Sequence, residues 1–143
     1  MMRMGAAISG AVMVAVVLGA GTARAEYEVL NFRSPTGNIH CSLVRLGAEK
    51  FALCEIREFV QTYKTPPADC ELDWGGAFSV ADRGRGMLAC HGDTIQSNDS
   101  LVLAYGKSVE LFGISCRSER TGITCQNSDG GGFVVSRARQ RVF

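Results

Sequence analysis

The stretch Ile39-His40-Cys41-Ser42-Leu43-Val44-Arg45-Leu46-Gly47-Ala48-Glu49-Lys50-Phe51-Ala52-Leu53-Cys54 reads as a β-hairpin. Gly47-Ala48 sits midway between the two cysteines, and Gly-X is the pair that a two-residue type II′ turn takes. Folding there sets Leu46 opposite Glu49, Val44 opposite Phe51 and Cys41 opposite Cys54. Hydrogen-bonded and non-hydrogen-bonded pairs alternate outward from the turn. The cysteines fall at a non-hydrogen-bonded position, where Cα atoms approach to about 4.5 Å. A disulfide tolerates that separation. One turn therefore predicts one bridge.

Six cysteines, at 41, 54, 70, 90, 116 and 125, occupy a chain of 143 residues. An even count in a short exported chain points to a disulfide framework, although six cysteines allow 15 pairings. Cys116 and Cys125 centre on Arg120-Thr121 in the same way as the first pair. Their register is less secure, because a left-handed Gly122 would bulge the loop. Cys70 and Cys90 then pair by elimination, tying the Pro66-Pro67 linker to a strand end. A thiol nucleophile would need an unpaired Cys, and C-x-x-C redox spacing is absent. Zinc ligation by the cysteines is the alternative to bridges, weakened by their scatter.

The expectation of export rests on residues 1–25, which read as a signal peptide. Arg3 charges the start, residues 5–18 are apolar, and Ala23-Arg24-Ala25 supplies a small-x-small cleavage site. An uncleaved anchor is the alternative, but the run is short for a permanent span. The mature chain, residues 26–143, is then one disulfide-bonded β-rich domain in the periplasm or outside the cell, with no membrane span. Losing Arg3 and Arg24 leaves 13 basic against 14 acidic residues, a net charge of −1. That balance argues against nucleic acid as a partner, since phosphate binding needs a basic excess.

Short segments rich in β-branched and aromatic residues, punctuated by Gly and Pro, point to an all-β fold. The expected form is a small antiparallel sandwich or partly open barrel stapled by three disulfides, with at most one short helix. Ser34-Pro35-Thr36-Gly37 suits a type I turn. Ala77-Phe78-Ser79-Val80 and Met87-Leu88-Ala89-Cys90 read as strands around a loop, and residues 108–117 read as one strand returning over residues 123–126. The Gly130-Gly131-Gly132 turn leads into a last strand from Phe133. In residues 55–63, Ile56, Phe59, Val60 and Tyr63 match helical spacing, and one or two helical turns are expected there, with an irregular strand as the alternative.

Residues 34–41 and 118–125 echo each other, each running from Ser to Cys with Thr-Gly inside and Ile two places before the Cys. Recurrent turn-and-strand grammar accounts for this without a duplication. Phe32-Arg33-Ser34-Pro35-Thr36-Gly37-Asn38-Ile39-His40-Cys41, Cys90-His91-Gly92-Asp93-Thr94 and Tyr105-Gly106 carry a wider likeness. So do Thr121-Gly122-Ile123-Thr124-Cys125 and Ser136-Arg137. With these the chain resembles an uncharacterised family of small exported bacterial proteins, a domain of unknown function. The resemblance implies a shared fold and shared bridges, and carries no activity across.

Two constellations could carry chemistry. His91-Gly92-Asp93 brings an imidazole and a carboxylate close in sequence, as an acid-base or metal pair would need. A zinc site needs three or four ligands, and none completes this one, so no metal and no cofactor are expected. If residues 133–143 run extended, Arg137, Arg139 and Arg141 line one face as a cationic stripe. Such a stripe fits an anionic envelope polymer, a lipid head group or an acidic envelope protein. The plainer reading is an edge strand whose charges block aggregation. The preferred function is a non-enzymatic exported binding module. The rival is a small hydrolase using His91, Asp93 and a Ser or Tyr from another strand.

Overall fold

The computed structural model describes residues 10–19, 21 and 26–143. Arg3 and Ala23-Arg24-Ala25, which carry the signal-peptide reading, lie outside the described residues. Among the described residues there is no helix long and apolar enough to cross a membrane.

Among the described residues eleven strands form two sheets. The first contains β1 (Tyr27–Arg33), β2 (Ile39–Leu46), β3 (Glu49–Ile56), β4 (Ala77–Ala81), β5 (Met87–Leu88) and β6 (Leu101–Val102). Their order is β5-β4-β3-β2-β1-β6, antiparallel except for the parallel contact of β6 with β1. The second contains β7 (Ser108–Leu111), β8 (Ile114–Glu119), β9 (Gly122–Asn127), β10 (Gly132–Val135) and β11 (Gln140–Val142), antiparallel in the order β11-β10-β9-β8-β7.

The sheets stack as a sandwich because every central strand alternates an apolar and a more polar face. Ile39, Cys41 and Leu43 of β2 and Phe78 and Val80 of β4 point inward. Ile123 and Cys125 of β9 and Phe133 and Val135 of β10 meet them in one core. Phe78 and Phe133 pack across the sheets with tilted rings whose centroids are 6.3 Å apart. Fully burying such a side chain is worth about 1.5–3 kcal/mol.

All three expected bridges form: Cys41–Cys54 and Cys116–Cys125, from turn spacing, and Cys70–Cys90, from elimination. The first hairpin has the expected register, and Gly47 alone of the turn pair takes a positive φ, of 59°, as a type II′ turn requires. Cys116 opposes Cys125 directly, so Gly122 adopts a φ of 135° without shifting the register. In both hairpins the bridged Cα atoms are 4.1 Å apart. The bridges touch: Cys54 Sγ lies 3.8 Å from Cys125 Sγ, a van der Waals contact between sulfurs that carry no proton. One staple from each sheet thus meets at the centre of the core.

Three sequence expectations fail for identifiable reasons. Residues 55–63 form no helix: Glu55 and Ile56 complete β3, and the chain then runs beside β11. There the Gln140 side chain accepts from Thr62 N–H and donates to the Val60 carbonyl, while the Tyr63 hydroxyl accepts from Val142 N–H. These long-range bonds outweigh the helical spacing. Residues 108–117 are a hairpin rather than one strand, reversed at Phe112-Gly113, whose φ values are 58° and 79°. The cost of a left-handed Phe is offset by packing of its ring on the core and beneath Arg45.

The third failure is the extended run 133–143. The chain turns back after Val135, with Ser136 N–H donating to the Arg139 carbonyl, and Val135 pairs with Gln140. Arg137, Arg139 and Arg141 therefore do not share one strand face. Within the glycine triplet only Gly130 takes a positive φ. Gly131 and Gly132 instead make room for backbone, since a Cβ would strike the carbonyls of Gly84 and Cys125 respectively.

Candidate functional site

A cleft of about 410 Å³ opens at one end of the sandwich, where connections from both sheets meet. The β1–β2 turn supplies Thr36, Gly37 and Asn38. Its shape is fixed by the Gly37 N–H bond to the Ser34 carbonyl, the closing bond of the expected turn. Asn38 then holds the chain leaving β3: its side chain donates to the Glu58 carbonyl and accepts from Glu58 N–H, both at 2.9 Å. The Asn38 carbonyl accepts from Arg57 N–H. Arg57 and Glu58 are thereby fixed on the cleft wall.

The second sheet supplies the other wall. Glu119, Arg120, Thr121 and Gly122 form the tip of the β8–β9 hairpin, and Arg137 comes from the β10–β11 turn. Tyr105 joins from the connection before β7, anchored by Gly106 N–H on the Ser118 carbonyl at 2.7 Å. The Arg120 guanidinium lies 5.1 Å from the Tyr105 ring centroid. Arg137 approaches Glu58 at 3.6 Å, and Glu119 accepts from Arg117 at 2.9 Å. Among the described residues no carboxylate pairs with Arg57 or Arg120.

Of the three arginines singled out from sequence, only Arg137 reaches this cleft. Arg139 is exposed in the β10–β11 turn, and Arg141 stacks on Phe143 at 4.7 Å. Arg57 and Arg120 were missed because nothing local marks them. Their role depends on which turns the fold brings together.

The histidines are engaged elsewhere. On the outer face of the first sheet His40 opposes Glu55, under the loop of residues 91–99. His40 Nε2 lies 3.0 Å from the Gly37 carbonyl, and Nδ1 accepts from Ser97 N–H. Burial holds the His40 imidazole below its ordinary pKa. The Gly37 hydrogen bond opposes that, Arg33 and Arg57 add to it, and Glu55 opposes it.

His91 faces Glu55, with Nδ1 3.3 Å from Oε1. Asp93 offers it only a backbone carbonyl, at 3.4 Å, so the expected carboxylate partner is replaced by a residue 36 places upstream. Glu55 is almost fully buried and also accepts from Thr94 Oγ1 and Ile95 N–H. This is the arrangement of a carboxylate pinning a loop onto a sheet. Among the described residues no Ser, Thr or Tyr hydroxyl bonds to either imidazole, and no three His, Cys, Asp or Glu side chains gather as metal ligands.

The geometry defines a disulfide-stapled β-sandwich with a cationic cleft at the meeting of its two sheets. The chain belongs to a family of unknown function, DUF6636, whose profile matches residues 12–143. Ser34, Thr36, Tyr105, Thr121 and Arg137, which come from separate stretches of the sequence, all line the cleft. No curated protein and no solved structure matches the chain.

Proposed function

We propose that this protein is an exported, non-enzymatic module that binds an envelope protein or an anionic envelope polymer through the cleft between its sheets. One observation carries the reading: Arg57, Arg120 and Arg137, from three separated segments, converge on a single concave surface. Arginine is the side chain suited to recognising carboxylate and phosphate oxygens. The alternative chemistry finds less support, because His91 engages Glu55 rather than an acid-base partner beside a nucleophile.

Export is supported by the apolar run of residues 5–18, the Ala23-Arg24-Ala25 site and three bridges in so short a chain. The mature chain is taken as residues 26–143, folded as one domain. Within this reading Arg137 remains a contact residue, while Arg139 and Arg141 fall outside the contact surface.

The test is affinity capture from native envelope with the exported protein and its Arg57→Ala/Arg137→Ala variant. Material retained by the native protein and lost by the variant is the expected result. Equal retention by both would refute the cleft as the contact surface. His91→Ala should leave retention intact and lower stability by about 1 kcal/mol, the usual cost of one lost hydrogen bond.

A further inference from the structure

We propose that the cleft takes one monoanionic oxygen group of a polymer, a uronate carboxylate or a phosphodiester, between Arg57 and Arg120. The inference rests on the binding-module reading and narrows it to a chemistry. Three arginines and two glutamates line the cleft, which leaves one net positive charge. Glu58 already faces Arg137, and Glu119 already holds Arg117. Arg57 and Arg120 are therefore the cleft guanidiniums without a carboxylate partner among the described residues. A neutral ligand leaves both without a counter-charge. A doubly charged group brings more charge than the cleft balances, and Glu58 and Glu119 repel the excess.

The form of the donors agrees with this. A guanidinium presents a planar fork that matches the two oxygens of a carboxylate or a phosphodiester. Arg120 is already laid over the Tyr105 ring, so less side-chain freedom is lost when a ligand arrives. The Thr36 and Thr121 side chains and the two glutamates, which accept hydrogen bonds from hydroxyls, line the same cleft. That combination suits an acidic group set among sugar or glycerol hydroxyls. The volume, about 410 Å³, lies at the small end of the usual range for ligand sites. The cleft walls at Arg57, Glu58, Glu119, Arg120 and Thr121 are exposed, as a polymer passing through would require.

His40 gives a built-in reporter. It sits behind the cleft lip on the Gly37 carbonyl, and the groups facing it come from every neighbouring element. These are Arg33 across β1, Glu55 across β3, and Arg57, with His91 reaching Glu55 and Ser97 N–H from the covering loop, which also carries Asp93 and Asp99. An anion beside Arg57 offsets part of the positive field on the imidazole. Proton uptake by His40 and anion binding then favour each other.

Calorimetry with heteronuclear NMR on the purified exported protein tests this, with four probes: trigalacturonate, a glycerol-phosphate trimer, neutral chitotriose and inorganic sulfate. One of the first two should bind, moving the His40 ring resonances, and which one binds separates the carboxylate source from the phosphodiester. Arg57→Ala and Arg120→Ala should each weaken it about tenfold, the order expected for one charge-assisted hydrogen bond. Both side chains are exposed, so an unchanged thermal midpoint serves as the folding control. Arg85→Ala, outside the cleft, should bind as the native protein does. Binding that survives both cleft variants, or that is no stronger than chitotriose or is matched by sulfate, overturns the inference. An envelope partner captured in an Arg57-dependent way would then still uphold the binding module.

Discussion

Residues 34–41 and 118–125 share a turn grammar from Ser through Thr-Gly to Ile-x-Cys, and both end up on the same cleft, yet the fold uses them differently. Gly37 takes a φ of 72° with open space where a Cβ would stand. Gly122 takes a φ of 135°, and a Cβ there would strike the Val135 carbonyl of the neighbouring strand. Cys41 bridges forward to β3, whereas Cys125 bridges back to β8. The first glycine serves a local turn, and the second serves the approach of β10. Similar sequence produces a similar turn, but what each turn tolerates is decided by its neighbours.

The largest effect should separate those two glycines. Gly122→Ala combines an unfavourable φ with a backbone collision and should cost about 4 kcal/mol or more. Gly37→Ala meets only the conformational penalty, about 1–2 kcal/mol. Chemical denaturation of both variants measures the gap. Equal losses would mean that β10 does not pack against Gly122.

The bridges extend the comparison from turns to staples. Loop-closure entropy alone ranks the 20-residue Cys70–Cys90 separation above the 9-residue Cys116–Cys125 separation, by about 0.7 kcal/mol. Burial ranks them the other way, because Cys116 and Cys125 are fully buried while Cys90 is exposed. Replacing a buried pair by Ala also empties core volume. Cys116→Ala/Cys125→Ala should therefore cost about 3–4 kcal/mol and exceed the loss for Cys70→Ala/Cys90→Ala. Graded reductant should open Cys70–Cys90 first. Earlier opening of either core bridge would contradict the packing argument.

The smallest effect concerns the covered histidine. His40 has an ordinary pKa of 6.5 in the unfolded chain and a lower one in the fold, chiefly through burial. Between those values the unfolded state binds more protons, so stability rises with pH. The thermal midpoint should fall as pH drops below about 6.5 and level off below the folded pKa. Asp129, lowered mainly by its bond from Gly84 N–H, contributes only as pH falls toward and below 3.8, outside that window. His40→Gln should flatten the dependence between pH 7 and 5. A midpoint that rises on acidification would contradict the buried neutral imidazole.

What could be read from sequence was whatever a few neighbouring residues decide. Gly47-Ala48 and the alternation beside it specified a register and a bridge, because turn type and strand pairing are local consequences of each other. Phe112-Gly113 escaped notice since a left-handed Phe is affordable only when Arg45 and the core receive its ring. Residues 59–63 looked helical because their apolar spacing is visible, while the Gln140 and Tyr63 bonds that extend them span about eighty positions. The same reason hid the cleft. Arg137 was found by its local pattern, but Arg57 and Arg120 become a site only when two sheets bring separate turns together. Glu55 was missed likewise, being a strand residue whose partners arrive from the loop of residues 91–97.

The contact between the two core bridges leaves one close competitor to the strand-by-strand pairing. With Cys54 Sγ and Cys125 Sγ 3.8 Å apart, an inter-sheet bridge between them is the nearest rearrangement. Peptide mapping of the unreduced protein by mass spectrometry decides the matter. The account requires peptides joining Cys41 to Cys54, Cys70 to Cys90 and Cys116 to Cys125, with no free thiol. A peptide joining Cys54 to Cys125, or Cys41 to Cys125, would contradict the hairpin registers and, with them, the meeting of turns that forms the cleft.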